Sequence, residues 1–205
     1  MKNVLAFCGA FNPPTRAHLE LAEFARRETG RDGVVFVPSR TDYIRNDQRK
    51  DGALSGGKRL ALLRKLAETR PWMRVTDMVL RQPAQPRTYV TLCALRGEGY
   101  EPTLLLGSDK LPELSHWRYM PDLILDFGIV CLARGGSPWR KVMEEDPLLR
   151  ELKDHIRVLE TPDELKSISS SAVREAMREG RRDALAQMVP EEILGMLDIP
   201  AGAEI

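Results

Sequence analysis

Short apolar runs alternate with amphipathic segments along most of the chain. Such runs, bounded by turn residues, are typical of inner strands of a parallel sheet, and the segments between them carry apolar residues at helical spacing. The predicted strands lie at residues 3–8, 34–37, 74–80, 102–107, 127–133 and 156–159. The predicted helices lie at 15–29, 57–69, from about 88 onwards, at 139–153 and after the serines at 169–171. This alternation predicts right-handed crossovers and a doubly wound, mainly parallel α/β sheet.

Two segments depart from this alternation. Residues 39–57 are polar and basic without an apolar period, which predicts a long surface loop, and a long loop in a compact domain is more often a binding loop than filler. The helix after it is expected to turn Leu60, Leu63 and Ala67 inward. Residues 182–205 are expected to form a small helical tail on a single domain spanning 1–205. Its apolar face is Leu185, Met188, Val189, Ile193, Leu194 and Leu197.

Composition limits the class of protein. The chain has 205 residues, 42% of them hydrophobic and 30% charged, which is typical of a globular domain with a substantial core. Its formal net charge is +1, so any phosphate site must be local and nucleic acid is not an expected partner.

The cysteine pattern and the lack of long apolar runs indicate a cellular compartment. Cys8, Cys93 and Cys131 sit in apolar surroundings without metal-ligand spacing, which predicts reduced core thiols. Neither a signal peptide nor a run of membrane-spanning length is apparent, so a cytoplasmic location and no membrane partner are expected. The pattern leaves open whether copies of the chain assemble into a homo-oligomer.

The turn after the first strand, GAFNPPTRAHL at residues 9–19, carries the strongest chemical signal. Gly9 permits a tight turn, two prolines delay the helix, and Thr15 is a candidate N-cap whose hydroxyl reaches the N–H of His18. A helix N-terminus favours an anion such as a phosphate, and His18 can add a donor. The alternative is that His18 is a half-buried core histidine beside the apolar stripe of its helix.

Two later segments place polar side chains where a ligand could use them. Asp109 follows a buried strand, and the carboxyl ends of strands in open α/β sheets are where ligands bind; Trp117 offers an aromatic face nearby in sequence. The run ISSSAVR at 168–174 puts serine hydroxyls at a helix start, with Arg174 on the same face. Each feature alone also has a structural explanation: Trp117 as a core residue, and the serines as ordinary caps.

These segments together resemble the nucleotidyltransferase superfamily. GAFNPPTRAH is similar to its phosphate-binding signature, ISSSAVR to its ISSTxxR motif, and Gly107, Asp109 and Trp117 to the GxDxxxxxxxW block of nicotinate or nicotinamide mononucleotide adenylyltransferases. The resemblance runs from residue 4 to 174 in four blocks. It implies a Rossmann-like fold and transfer of AMP from ATP to nicotinate or nicotinamide mononucleotide, with release of pyrophosphate. Magnesium is implied with ATP as co-substrate.

The resemblance also implies site residues. The catalytic group is His18, Thr15 and Arg174. The ATP and phosphate group is Gly9, Ala10, Phe11, Asn12, Lys50, Ile168, Ser169, Ser170 and Arg174. The mononucleotide group is Arg59, Thr88, Gly107, Asp109 and Trp117. No protein ligand for the metal is implied.

The chain departs from the family pattern at three places. Ala10 stands where the family usually has serine or threonine, Ala17 where it has glycine, and Val90 where it has aspartate. Thr88 fits either a family element or a simple N-cap. These positions keep two alternatives open: a phosphopantetheine or other small-phosphate nucleotidyltransferase, and a non-catalytic nucleotide-binding protein on the same fold.

Overall fold

The computed structural model of the chain describes residues 1–46, 53–133, 136–161 and 169–198. Six strands form one sheet in the order β3-β2-β1-β4-β5-β6. The strands are β1 Lys2–Gly9, β2 Gly33–Pro38, β3 Met73–Val75, β4 Tyr100–Gly107, β5 Ile129–Ala133 and β6 Ile156–Glu160. The β1–β4, β4–β5 and β5–β6 pairs are parallel, with Phe7 opposite Leu105 and Leu106 opposite Cys131. The predicted doubly wound, mainly parallel α/β sheet is therefore confirmed.

Helices connect the strands and end the described chain. They are α1 Arg16–Thr29, α2 Thr41–Asn46, α3 Gly56–Ala67, α4 Thr88–Gly97, α5 Leu111–Leu114, α6 Asp122–Phe127, α7 Trp139–Glu145, α8 Pro147–Glu151, α9 Ser170–Arg178, α10 Arg182–Met188 and α11 Glu191–Leu194. Short 3₁₀ turns at Ser108–Lys110 and Lys153–His155 precede α5 and β6.

Local sequence signals explain several boundaries. Every residue of β2 is buried, as expected of an inner strand between two neighbours. Gly30 follows α1 with φ 63°, a left-handed conformation that glycine adopts without a side-chain clash. Asp146 accepts hydrogen bonds from the N–H groups of Leu148 and Leu149, so the segment predicted as one helix at 139–153 is two, α7 and α8, separated at this cap.

Three other segments differ from the sequence prediction. The expected loop at 39–57 contains α2, and the strand expected at 74–80 is only three residues long. Phe127 ends α6 instead of beginning a strand. In each case the apolar pattern was too short to distinguish a helical turn from a strand or a loop.

The prediction for the inward face of α3 is correct at Leu63 and wrong at Leu60 and Ala67. Leu62, Leu63 and Leu66 are buried together with Arg59, whereas Leu60 and Ala67 are only half-buried. The buried stripe thus starts at an arginine, and a pattern that counts only apolar residues assigns such a stripe to a neighbouring face.

Two compact units make up the chain. The first unit comprises the described residues of Met1–Cys8, Leu21–Val35 and Pro86–Lys166, and its core includes Leu104, Leu105 and Cys131. The second unit comprises the described residues of Gly9–Glu20, Phe36–Gln85 and Ser167–Ile205, and its core includes Phe11 and Arg59. The expectation of a single domain stays a prediction.

The predicted helical tail packs within the second unit. Helix α10 lies against α9, and α11 lies against α3, where Glu192 pairs with Arg70 at 2.9 Å. Leu185, Val189 and Ile193 are buried, so this tail contributes to the core of the unit. Its last residues, 199–205, lie outside the described part.

The cysteines and the helix lengths add two findings. Cys131 is buried and Cys8 half-buried, but Cys93 is exposed on α4, so the expectation of three core thiols fails for Cys93. In the described ranges, no helix is long and apolar enough to cross a membrane.

Candidate functional site

The turn between β1 and α1 is built around Phe11. A Cβ atom on Gly9 would lie 3.1 Å from Cζ of Phe11, so a larger residue would press on the ring, which would have to shift by a few tenths of an ångström. Phe11 has φ 45° and is 2% exposed, and its ring centroid lies 5.3 Å from that of Phe36 and 5.3 Å from that of His18. Left-handed backbone in a residue with a Cβ costs about 1–2 kcal/mol, so packing must hold this turn in place.

Thr15 and His18 form the expected cap of α1. The N–H of His18 donates to Oγ1 of Thr15 at 3.3 Å, which confirms Thr15 as the residue that caps this helix. The N–H of Thr15 in turn donates to Nδ1 of His18 at 3.1 Å, and Oγ1 of Thr15 lies 2.7 Å from the same nitrogen. Since Nδ1 accepts a hydrogen bond, the proton of the neutral ring belongs on Nε2, which makes Nε2 a donor. The ring is half-buried, as the structural alternative for His18 also required.

Asn12 carries a buried side-chain amide. Its side chain is 1% exposed, and Oδ1 accepts a hydrogen bond of 2.8 Å from the N–H of Leu54, which fixes the orientation of the amide. Its Nδ2 has no acceptor among the residues that the structure describes. A buried amide group without a partner costs about 1–3 kcal/mol, so such a donor points to an acceptor supplied from outside the chain.

The start of α9 reaches this same turn from 157 residues further along the chain. Ser169 caps α9 by accepting a hydrogen bond from the N–H of Ala172 at 3.1 Å, which confirms the predicted serine cap. Ser170 Oγ donates to the carbonyl oxygen of Pro13 at 3.0 Å. The N-terminus of α9 therefore lies against the loop that leads into the N-terminus of α1.

Arg174 ties α9 to the turn a second time. Its Nη1 donates to the carbonyl oxygen of Asn12 at 2.9 Å and its Nη2 to Oγ of Ser171 at 3.1 Å, as expected for residues on one helix face. Burial, followed by the positive charge of Arg178, lowers the pKa of the Arg174 guanidinium from its ordinary value. A half-buried cation without a carboxylate partner among the described residues favours a nearby anion.

Arg59 differs from its expected setting. It was predicted to contact a mononucleotide, but it is 0% exposed and its guanidinium faces protein oxygens. Nη1 donates to the carbonyl oxygen of Ala10 at 2.7 Å, Nη2 to that of Ser39 at 2.6 Å and Nε to that of Leu54 at 3.2 Å. Burial lowers the pKa of Arg59 to about 10, so it remains charged at neutral pH. The structure thus corrects this prediction: the side chain has no surface left for a substrate.

These contacts bring together, in the second unit, groups that could donate hydrogen bonds to an oxyanion. The N-termini of α1 and α9 meet at the backbone of Asn12 and Pro13, and each provides unpaired N–H groups and a partial positive charge. Arg174 adds a full charge, and Asn12 adds an amide donor that has no acceptor among the described residues. An oxyanion with several acceptor oxygens is the ligand that such a set of donors fits.

Ala10 and Ala17, which differ from the pattern of the resembled family, both have defined places in the structure. Ala10 takes part through its carbonyl oxygen, which Arg59 holds, and Ala17 is 1% exposed on the core side of α1. Two other predicted residues, Lys50 and Ile168, lie outside the described residues.

The remaining predicted residues lie in the first unit. A Cβ on Gly107 would lie 2.5 Å from Oδ1 of Asp109, so the glycine lets this carboxylate fold back over the end of β4. The Asp109 side chain is 73% exposed and lies 3.8 Å from Nζ of Lys110. Trp117, which follows α5, is half-buried, whereas the alternative that it is a core residue predicts full burial.

Thr88 does not act as an N-cap. The cap position of α4 is Arg87, which makes no side-chain capping bond, and Thr88 is the first helical residue. Thr91 is buried and Val90 is 45% exposed, so Val90 replaces the family aspartate on the outer face of α4. The structural alternative for Thr88 is therefore excluded.

Sequence reasoning missed the residues that act through backbone atoms. Leu54 binds both Asn12 and Arg59 through its main chain, and the carbonyl oxygen of Ser39 accepts from Arg59. Main-chain donors and acceptors are present at almost every residue, so no side-chain pattern identifies them.

Metal ligands follow a different pattern. Within the described ranges, no group of three or more histidine, cysteine, aspartate or glutamate side chains could hold an ion.

Comparison with known proteins identifies a family and several relatives that this chain resembles. A family model described as cytidylyltransferase-like matches residues 6–176. The nicotinamide/nicotinic acid mononucleotide adenylyltransferase of Oryza sativa subsp. japonica is 30% identical over 192 residues, covering 85% of this chain and 76% of the relative. A probable nicotinate-nucleotide adenylyltransferase of Dehalococcoides mccartyi is 29% identical over 188 residues, covering 90% and 89%.

Solved structures share the fold. The nicotinic acid mononucleotide adenylyltransferase of Plasmodium falciparum, complexed with NaAD, superposes with a TM-score of 0.73 at 18% identity and covers 96% of both chains. The same enzyme complexed with APC gives a TM-score of 0.73 at 16% identity over 96% of both chains.

Proposed function

The chain belongs to the cytidylyltransferase-like family, and we infer that it transfers the adenylyl group of ATP to nicotinate or nicotinamide mononucleotide and releases pyrophosphate. It is a nucleotidyltransferase, and its reaction belongs to the biosynthesis of NAD. A plant relative and a bacterial relative are named for this activity, and each aligns with most of this chain.

The observation that carries the proposal is the meeting of two distant motifs in one unit. Ser170 and Arg174 donate to the carbonyl oxygens of Pro13 and Asn12, across 157 and 162 positions of the chain. Each motif alone has an ordinary structural explanation. Together they surround one turn with donors for an oxyanion, as binding of a triphosphate requires.

The reaction requires the protein to position the substrates and to stabilise the charge that develops during transfer. The phosphate of the mononucleotide is already an anionic nucleophile, so attack on the α-phosphate needs no general base. Negative charge then grows on the α-phosphate oxygens and on the leaving pyrophosphate. His18, through Nε2, and Thr15 with the N-terminus of α1 serve the reacting phosphates, while Ser170 and Arg174 serve the leaving group.

Other turn residues complete the ATP side. Gly9, Ala10 and Phe11 shape the turn, and Nδ2 of Asn12 donates to a phosphate oxygen once ATP is bound. Ser169 holds the start of α9 in its capped form. Lys50 and Ile168 stay predicted phosphate contacts.

The mononucleotide is assigned to Thr88, Gly107, Asp109 and Trp117. The exposed carboxylate of Asp109 can accept hydrogen bonds from ribose hydroxyls, and Trp117 offers its face to the pyridine ring. Magnesium enters with ATP, bound to its phosphates, since Mg²⁺ in nucleotide sites depends largely on phosphate oxygens and water. The cytoplasmic location and any assembly of copies stay predictions.

A pyrophosphate-release assay tests the function. The purified chain is incubated with ATP, Mg²⁺ and a panel of acceptors: nicotinate mononucleotide, nicotinamide mononucleotide, phosphopantetheine and a blank. Release with a pyridine mononucleotide, and formation of the matching dinucleotide, supports the proposal. Release only with phosphopantetheine supports the first alternative, and tight ATP binding without release under any acceptor supports the non-catalytic one.

A matched pair of histidine variants tests the site. His18→Ala is expected to lower kcat by about 10²–10³-fold, the usual effect of removing one donor to a developing charge. His155→Ala is the control, because His155 is exposed before β6 and touches none of the assigned groups. Near wild-type turnover in His18→Ala would remove His18 from the mechanism while leaving the function itself to the acceptor panel.

A further inference from the structure

We propose that Arg59 is a positioning residue of adenylyl transfer, which holds the phosphate-binding turn through its backbone and touches neither substrate. The proposal rests on the function inferred above for its catalytic consequence. Its structural part, that Arg59 fixes the turn, stands on the contacts alone.

Arg59 joins three separate segments of the second unit. Its guanidinium donates to the carbonyl oxygens of Ala10 in the turn, Ser39 after β2 and Leu54 before α3, at 2.7, 2.6 and 3.2 Å. All three guanidinium nitrogens are thereby used inside the protein. At 0% exposure the side chain offers no atom to a ligand.

The contacts of Arg59 continue into the site. Leu54 accepts from Nε of Arg59 with its carbonyl oxygen and donates with its N–H to Oδ1 of Asn12. Arg59 therefore holds Ala10 directly and Asn12 through Leu54, while Arg174 holds the carbonyl of Asn12 from the other side. The turn is fixed at residues 10 and 12 by two arginines from different helices.

Only arginine can make this junction. A guanidinium presents five donors in a rigid plane, so one side chain can reach three carbonyl groups that approach from different directions. A lysine ammonium is a compact point charge and cannot span them with the same geometry. None of the ion pairs among the described residues includes Arg59, so its charge is balanced by carbonyl dipoles and adds to the positive potential at the turn.

The test compares Arg59→Lys with Arg70→Lys. Arg70 is a matched control because it also donates to a backbone carbonyl, that of Leu66 at 2.8 Å, at the other end of α3. Both variants are assayed well below their thermal midpoints for kcat, for KM of the mononucleotide and for ATP affinity. Amide hydrogen exchange is followed at Ser39, whose N–H donates to Gly9 at 2.9 Å, and at Leu54.

A positioning role predicts a split between the kinetic constants. Arg59→Lys should lower kcat by about 10- to 100-fold, because small misplacements of reacting groups cost that much, and change KM for the mononucleotide by less than about threefold. Exchange should accelerate at Ser39 and Leu54 and stay unchanged in β4 and β5. Arg70→Lys should show neither effect.

Two results would overturn the proposal. A KM for the mononucleotide that rises more than about tenfold with kcat preserved would make Arg59 a substrate ligand. Unchanged exchange at Ser39 and Leu54 would show that Arg59 does not hold the turn. If the wild-type chain releases no pyrophosphate with any acceptor, the proposed function fails, and the exchange comparison still decides the role of Arg59.

Discussion

Replacing Arg174 with methionine should reduce both stability and catalysis, by separable amounts. The change keeps most of the side-chain length and removes the charge. It breaks the hydrogen bond of 2.9 Å from Nη1 to the carbonyl oxygen of Asn12 and that of 3.1 Å from Nη2 to Ser171. Loss of the first bond leaves the carbonyl of buried Asn12 without its donor, while Ser171 is exposed and its hydroxyl can turn to water.

The size of each effect follows from these contacts. A hydrogen bond to a charged group contributes about 1.5–3 kcal/mol when buried, and partial exposure of Arg174 brings the expected loss to about 1–2 kcal/mol. For a chain of this length that corresponds to a fall in Tm of roughly 2–8 °C. Loss of a charge that stabilises the leaving pyrophosphate should lower kcat by a further factor of about 10²–10³.

The assay pairs Arg174→Met with Arg178→Met. Arg178 lies one turn further along α9, is exposed and has no assigned role. Tm is measured by differential scanning calorimetry, and kcat by pyrophosphate release at saturating ATP and mononucleotide, at a temperature where both variants are folded. If Arg174→Met loses no more activity than Arg178→Met, the assignment of Arg174 to the leaving group is wrong, whatever happens to Tm.

Three further predictions concern the first unit. Gly107→Ala brings a Cβ within 2.5 Å of Oδ1 of Asp109 and should displace that carboxylate, raising KM for the mononucleotide several-fold with kcat and Tm nearly unchanged; an unaltered KM would remove Asp109 from substrate binding. Burial raises the pKa of Asp146, but hydrogen bonds from a serine hydroxyl and two N–H groups of α8 outweigh it, so the pKa is lowered overall. Its contribution to stability is then present above about pH 4, the range of an unfolded aspartate, and lost as pH falls through the lowered folded pKa. Urea denaturation from pH 6 to pH 3 should show the stability gap between wild type and Asp146→Asn closing on acidification, and a constant gap would contradict this. Exposed Cys93 should react with a thiol reagent in the native state well before Cys131, since burial raises the pKa of Cys131 to about 12; equal rates would contradict the described burial.

The local pattern of the chain determined the secondary structure around the site. The apolar runs predicted all six strands, although β3 and the start of β5 were poorly bounded. The signal is clearest for the inner strands, because a parallel strand between two neighbours is apolar on both faces. Thr15, Gly30 and Ser169 were identifiable as cap or terminating residues, because capping depends on side chains and backbone freedom within a few positions.

The resemblance to known motifs selected the segments but could not assign every contact. Ser170 and Arg174 were expected at a phosphate, and the structure brings them to the turn at Asn12 and Pro13. Arg59 was expected at a substrate because it matches the place of an arginine in the resembled family. Leu62, Leu63 and Leu66 follow Arg59 at the spacing of one helix face, so the pattern does place Arg59 on the buried side, but a charged residue was not counted there.

Tertiary structure alone decided which groups hold the turn. The acceptors of Arg59 and Arg174 are backbone carbonyl oxygens of Ala10, Ser39, Leu54 and Asn12, and every residue of any sequence carries such an oxygen. Their use depends on how segments far apart in the chain pack together, which local periodicity does not encode. The sequence therefore determined where donors for a phosphate occur, and packing decided which of them face a ligand and which hold the turn.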